Sequence, residues 1–373
     1  MQLVAKTFAG FESILAEELA QIGAKKITPE KRAVVFEGSL TTLYKANYCL
    51  YTALRILKPF YHFKARLPQH LYKHVGKFNW SSLFNTEQTF AIDATVHSTY
   101  FNHSMYVLQK VKDAIVDQFR DKFGRRPSVD VQNPDIRLHV RIKNDEVSLY
   151  LDSSGFSLHK RGYRDTQHQA PINEALAAGL IITSGWKTDQ PYYDLMCGSG
   201  TFLVEAAAIA TKTPPGYFRS DTYAFEKWED FDEEKWKKIK QYTNEAIEPL
   251  TTPIYGFDID GRMIEQSQQH LKIAGFDKVV QLKQVAIADS RPTEGEAGLI
   301  VVNPPYDLRI KNDDIDALYK SIGDTFKQKY KGFNAWVLSG NKTAIKNIGL
   351  KTAKKMTFYN GSVECKFHKY ELY

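Results

Sequence analysis

The sequence predicts an α/β fold: a mostly parallel, doubly wound sheet with an antiparallel hairpin at its edge, preceded by an α+β region. Three observations predict it. From about residue 171 onward, short apolar strands alternate with helices, which is the pattern of parallel βαβ units. Before residue 165, strands and helices also alternate, but no glycine-rich turn separates them. The charge divides at the same point: residues 1–165 hold 24 Lys and Arg against 16 Asp and Glu, and residues 166–373 hold 26 against 27. With 373 residues the chain is also too long for one core.

The composition, 43% hydrophobic and 25% charged, excludes collagen-like, disordered and membrane-spanning classes. The N-terminus reaches acidic residues before it builds a signal-peptide core. Cys49, Cys197 and Cys365 are odd in number and lack CxxC spacing, which argues against a disulfide framework and a zinc site. The expectation is a cytoplasmic chain with no metal and no membrane partner.

In the first region, residues 3–8 read as a strand, 11–22 as an amphipathic helix and 33–37 as a second strand, after which Ser39 caps a helix. Residues 89–96 read as a strand, 102–123 as a long helix, and 136–142 with 147–151 as a hairpin around Asn144. This makes two small α+β units in series. No acidic residue lies between Glu37 and Glu87, whereas Lys45, Arg55, Lys58, Lys64, Arg66, Lys73 and Lys77 do, interleaved with Tyr44, Tyr48, Tyr51, Phe60, Tyr61, Phe63, Tyr72, Phe78 and Trp80. Such a stretch neutralises phosphates and offers rings to unpaired bases. Tyr44, Tyr48 and Tyr51, at helical spacing, read instead as core. The basic excess predicts an RNA partner for this half, with Lys64, Arg66 and Lys73 as candidate phosphate contacts.

In the second region, residues 173–183 read as a helix. Strands follow at 192–196, 254–258, 279–285, 299–302 and 335–339, then two late ones near 355–359 and 362–372. Asn360-Gly361 joins the last two as a hairpin. Residues 211–253 read as an insertion. Arg161-Gly162-Tyr163-Arg164 marks the boundary between the halves. The expected units are 1–64, 65–165 and 166–373.

Four strand ends carry the chemistry. The segment from Asp194 to Phe202, DLMCGSGTF, puts an acid and two glycines, Gly198 and Gly200, between a strand and a helix that opens at Thr201. Backbone amides there approach an anionic ligand group. A dinucleotide fingerprint fails, because Leu203 holds the third glycine position and the next strand-terminal acid, Asp258, lies beyond the insertion. Asp258 is placed to accept ribose hydroxyls, with Asp260 as its competitor, and Asp289 reads as the end of the third strand, poised for an adenine amine. Asn303-Pro304-Pro305-Tyr306 ends the fourth. Two prolines remove two donors, so Asn303 Oδ1 and the Pro304 carbonyl accept both hydrogens of an exocyclic amine while Tyr306 offers a ring face.

The order DLMCGSGTF, GFDID, IADS, NPPY resembles a class I, Rossmann-like S-adenosylmethionine (SAM)-dependent methyltransferase, a seven-stranded sheet with an antiparallel C-terminal hairpin. The segments NPDIRLHVRI and LHKRGYR resemble a ferredoxin-like plus THUMP RNA-binding region. Over essentially the whole chain the sequence is similar to bacterial 23S rRNA guanine-N2 methyltransferases. The resemblance implies SAM as cofactor, N2-methylguanosine as product, and 23S rRNA or a large-subunit assembly intermediate as partner. It places Asp194, Gly198, Gly200 and Thr201 near the methionine portion of SAM, Asp258 at its ribose and Asp289 at its adenine. Asn303, Pro304 and Tyr306 surround the target base, Asn303 also bordering the cofactor. The APINEA segment, with Pro171, Asn173 and Glu174, closes over the methionine end. Lys160, Arg161 and Arg164 join the RNA-binding candidates.

Other readings share parts of this pattern. A tRNA guanine-N2 methyltransferase has THUMP and the same tetrapeptide. An adenine-N6 DNA or glutamine-N5 protein methyltransferase shares NPPY but leaves the basic half unexplained. A non-catalytic RNA-binding protein is expected to have lost the acids or NPPY, and this chain has both.

Overall fold

The computed structural model describes residues 1–164, 172–293, 297–305 and 312–373. In the first region the elements are β1 (Gln2–Lys6), α1 (Glu12–Gln21), β2 (Lys25–Glu30), β3 (Ala33–Glu37), α2 (Leu40–Cys49), β4 (Arg55–Lys64), α3 (Pro68–Lys77), β5 (Phe90–His97), α4 (Ser104–Phe123), β6 (Ile136–Lys143) and β7 (Glu146–Asp152). Ser39 caps α2 as expected: its Oγ accepts from the Thr42 N–H while the Thr42 hydroxyl accepts from the Ser39 N–H. Gly124, at φ +69°, closes α4 in the left-handed conformation.

The two α+β units share one sheet, ordered β2-β3-β1-β4-β7-β6-β5. The joint is β4, an element absent from the sequence reading. Its first residues, Arg55–Leu57, pair with β1, and Leu57–Lys64 pair with β7. Pro59, which has no N–H to give, sits at an irregularity in this ladder. Because β4 and α3 occupy the acid-free stretch, its aromatics turn inward: Phe60, Phe78 and Trp80 pack ring against ring at 5.0–5.9 Å. Of the six rings left as stacking surfaces, Phe60, Tyr61, Phe63, Tyr72, Phe78 and Trp80, only Tyr72 is exposed, and its hydroxyl is held by Asp117 at 2.8 Å.

The second region contains α5 (Glu174–Ser184), β8 (Tyr192–Asp194), α6 (Thr201–Ala210), α7 (Glu233–Glu245), β9 (Ile254–Asp258), α8 (Gly261–Ala274), β10 (Val280–Gln284), β11 (Leu299–Val302), α9 (Asn312–Lys329), β12 (Asn334–Ser339), β13 (Lys354–Asn360) and β14 (Val363–Glu371). The sheet order is β10-β9-β8-β11-β12-β14-β13, parallel through β12 and antiparallel in the last two strands. Adjacent residues face opposite layers: Tyr192 and Val301 belong to one apolar core, Tyr193 and Val302 to the other. A sheet buried on both faces reads as continuous apolar runs, which is why these strands were legible.

The insertion docks rather than protrudes. Phe225 stacks on Tyr44 of α2 at 4.5 Å, and Trp236 of α7 meets Tyr44 and Tyr48 edge-on. The Tyr44 hydroxyl accepts from the Asp232 N–H, and the Tyr48 hydroxyl donates to Asn244. Of the tyrosines read as core, Tyr44 and Tyr48 are buried and Tyr51 is half-buried, and the core of the first two includes residues nearly 200 positions away. Among the described residues, no helix is long and apolar enough to cross a membrane.

Candidate active site

The carboxyl-end edge of β8 and β9 forms the site, because parallel strands end there in loops whose polar groups point out of the sheet. The loop after β8 is bonded to its neighbours at nearly every residue. The Cys197 N–H donates to the Phe257 carbonyl, and the Gly198 N–H to Asp258 Oδ2, each at 2.8 Å. The Ser267 hydroxyl of α8 donates to the Gly198 carbonyl at 2.6 Å. Gly200, at φ +79°, could not carry a side chain: a Cβ would come within 2.9 Å of Ser267 Oγ. A Cβ on Gly198 would meet no atom within 4 Å among the described residues beyond its chain neighbours, so this residue leaves its space to the cavity.

That cavity measures about 890 Å³ and runs between the glycine loop, the tip of β9 and the start of α8. Asp194, Gly198, Thr201, Asp258 and Asn303 all line it. Asp194 is buried and accepts from the Met196 N–H, while burial, with Asp258 nearby, pushes its carboxyl well above the usual range. Asp258 Oδ1 accepts from the Asp260 N–H at 2.9 Å, so each of its oxygens has one backbone donor and retains a lone pair. Its competitor Asp260 caps α8 and pairs with Arg262, committing both oxygens. Asn303 Oδ1 is buried with no hydrogen-bond partner among the described residues, beside Pro304, which is itself buried. A backbone-amide loop at a helix start, an available carboxylate and an orphaned amide oxygen fit an amphoteric nucleoside cofactor next to an amine donor.

Several expected residues lie elsewhere. Asp289 does not end a strand: β10 stops at Gln284, and Asp289 closes a short 3-10 turn, exposed and outside the cavity lining. Asn173 caps α5, and Glu174 is buried against Arg164 at 3.3 Å; of that segment Ile172 lines the cavity. Pro171 and Tyr306 lie outside the described residues. The sequence reading missed the wall supplied by Ile259 and by Met263, Gln266 and Gln269 of α8. The helical spacing of the last three was the available signal.

The RNA candidates divide. Lys64 pairs with Glu146 and Arg66 with Asp145, both cations on the surface; Lys73 and Lys160 are also exposed. Arg66 additionally lies 5.6 Å from the ring of Tyr100, an exposed aromatic that the reading overlooked. Arg161 is corrected: it is 1% exposed and bonds the Leu158 and Tyr51 carbonyls, so it cannot meet a phosphate. Arg164, bonded to Ile172 and Thr201 and paired with Glu174, is likewise turned inward.

A Rossmann-like sheet with this glycine loop and these strand-end acids defines a class I methyltransferase. Residues 161–369 match the RMKL-like methyltransferase domain, residues 68–152 the THUMP domain and residues 2–57 the RlmL ferredoxin-like domain. The chain is 39% identical over 367 residues to a putative RNA methyltransferase of Synechocystis sp., covering 98% of this chain and 95% of the relative. It is 37% identical over 375 residues to the ribosomal RNA large subunit methyltransferase K/L of Methylococcus capsulatus, covering 97% of this chain and 50% of that one. It thus spans about half the length of the K/L relatives it matches. The solved structure of SMU.472, a putative methyltransferase complexed with SAH, superposes with a TM-score of 0.87 at 30% identity over 100% of this chain and 98% of that one. The chain belongs to the RMKL-like methyltransferase family and is a SAM-dependent RNA methyltransferase with a THUMP domain.

Proposed function

We propose that the chain methylates the exocyclic N2 amine of a guanine in 23S rRNA, giving N2-methylguanosine, on free rRNA or a large-subunit assembly intermediate in the cytoplasm. The observation that carries this is the orphaned Oδ1 of Asn303 at the cavity wall, followed by two residues without N–H groups. SAM supplies a methyl group already activated on a positive sulfur. Asn303 Oδ1 and the Pro304 carbonyl hold the amine hydrogens, which fixes the nitrogen in the cavity. The chain's contribution is orientation and the exclusion of water, and these alone account for large rate factors. Extruding the base costs a few kcal/mol, less if it is unpaired.

Asp194, Gly198, Gly200 and Thr201 are proposed to surround the methionine portion, with Asp258 at the ribose. The free lone pairs of Asp258 and the engaged carboxylate of Asp260 support that choice. Residues 1–64 and 65–165 hold the RNA, and 166–373 carry out transfer. Guanine in rRNA is favoured over the other readings by the basic RNA-binding half and by relatives named for large-subunit rRNA. A tRNA guanine is the second reading, since THUMP and the tetrapeptide suit it equally. Comparing the nucleosides of 23S rRNA and tRNA from cells with and without the gene tests the choice: N2-methylguanosine is expected to fall in 23S rRNA alone.

Docking is expected to be electrostatic. Replacing Lys64, Arg66 and Lys73 by Ala is expected to weaken RNA binding and flatten its salt dependence by about 0.7 logarithmic units per lost phosphate contact. Tyr100→Ala is expected to cost about 1–3 kcal/mol at every salt concentration, because stacking is not screened. Fluorescence anisotropy across a salt series checks both. Unchanged affinity and slope in the triple variant would reduce these cations to a solvated surface.

A further inference from the structure

The described residues between β7 and α5 are bonded to α6, to the start of α5 and to the N-terminal region. Arg161 donates to the Leu158 carbonyl at 2.6 Å and the Tyr51 carbonyl at 2.5 Å, and its Nε lies 3.6 Å from Glu205 Oε1 of α6. Tyr163 donates to the same Glu205 oxygen at 2.8 Å. Gly162, at φ +103°, passes so close to the Phe218 carbonyl that a Cβ would lie 2.5 Å from it. Arg164 then donates to the Ile172 carbonyl at 2.6 Å and to Thr201 Oγ1, and pairs with Glu174. Thr201 and Glu205 stand four residues apart, on one face of α6.

Two consequences follow from this geometry. Ile172 and Thr201 both line the cofactor cavity, on separate stretches of chain, and one guanidinium ties them together. Tyr51, on the RNA side, reaches the other end of α6, its hydroxyl 2.7 Å from the Thr213 carbonyl and 3.1 Å from that of Ala208. The helix that begins at the glycine loop is therefore held along its length by residues continuous with the N-terminal sheet. Buried ion pairs are seldom retained for net stability, since apolar residues of similar volume often do as well. Their value here is placement.

We propose that Arg164 is a positioning residue for the cofactor, fixing the Ile172 and Thr201 walls of the cavity relative to each other and to the RNA-binding half. A planar fork that reaches a carbonyl, a hydroxyl and a carboxylate at once suits arginine and not lysine. The proposal rests on the SAM cavity and not on the identity of the target base, so either can fail alone.

The test uses the full chain, the single variants Arg164→Ala, Arg164→Lys and Thr201→Val, and the Arg164→Ala/Thr201→Val double variant, with folding checked by circular dichroism. Calorimetry with SAH, initial rates against SAM, and anisotropy with an rRNA fragment give the readouts. Arg164→Ala is expected to raise the SAH Kd and the SAM KM about tenfold while the RNA Kd stays within about twofold. Arg164→Lys is expected to recover part of the loss. Arg164→Ala combined with Thr201→Val is expected to lose less than the sum of the two single losses, since the two share one hydrogen bond while Thr201 also borders the cofactor. A fall in RNA affinity at unchanged SAH affinity would make Arg164 a phosphate contact and overturn the proposal. So would wild-type SAH affinity in a folded Arg164→Ala chain. If that variant does not fold, wild-type SAH affinity in both Arg164→Lys and Thr201→Val would overturn it equally.

Discussion

Asn303→Ala is expected to lower single-turnover methyl transfer by about two to three orders of magnitude, the range seen when one positioned polar group is removed from a reacting centre. Its Oδ1 is buried at the cavity wall with no hydrogen-bond partner among the described residues, so deleting it strands none of their donors. Folding and cofactor affinity are therefore expected to stay near wild type, and the loss to fall on kcat. Asn303→Asp preserves the shape and the acceptor but adds charge to a confined wall. It is expected to retain more activity than Ala at low pH, where the acid form is neutral. Rapid-quench transfer from labelled SAM checks both variants. A near-normal rate in Asn303→Ala would show that the amine is held elsewhere.

The second large effect is on cofactor binding. Asp258 accepts from the N–H groups of Gly198 and Asp260, joining the glycine loop to the start of α8 across the tip of β9. Asp258→Ala removes those two charge-assisted bonds together with the proposed ribose acceptor. At about 1.5–3 kcal/mol for a bond to a charged group, the SAM Kd is expected to rise by about two orders of magnitude. Asp258→Asn keeps one neutral acceptor and is expected to fall between. Calorimetry decides, and wild-type affinity in Asp258→Ala would remove the carboxylate from the site. By contrast, Asp260→Ala is expected to disturb the α8 cap and leave SAM affinity largely intact.

What the sequence made legible follows from how locally each feature is specified. The glycine loop, the ends of β9 and β11 and the terminal hairpin at Asn360-Gly361 depend on short-range chemistry, and the cavity lies where those strand ends meet. β4 escaped notice because a basic, aromatic stretch reads as a surface, whereas its rings pack against His74 of α3 and against Phe78 and Trp80 just beyond it, neighbours fixed only in the folded sheet. Asp289 was misplaced because the strand, read at 279–285 and observed as Val280–Gln284, stops before it, and a short 3-10 turn carries the chain on to Asp289. Arg161 and Arg164 look like phosphate ligands in sequence, and their buried partners, Glu205 and Glu174, lie in helices beyond the boundary. The docking of α7 onto α2 had no local signal at all. Each half of that aromatic core is an ordinary amphipathic face until the other is present.

The central claim, methylation of a guanine amine in 23S rRNA, is tested most directly by nucleotide-resolution mapping of methylated residues in rRNA from cells with and without this gene. The prediction is a single N2-methylguanosine in 23S rRNA that disappears with the gene and returns with the wild-type chain but not with Asn303→Ala. Loss of a methylated adenine instead, or of a methylated guanine confined to tRNA, would contradict it.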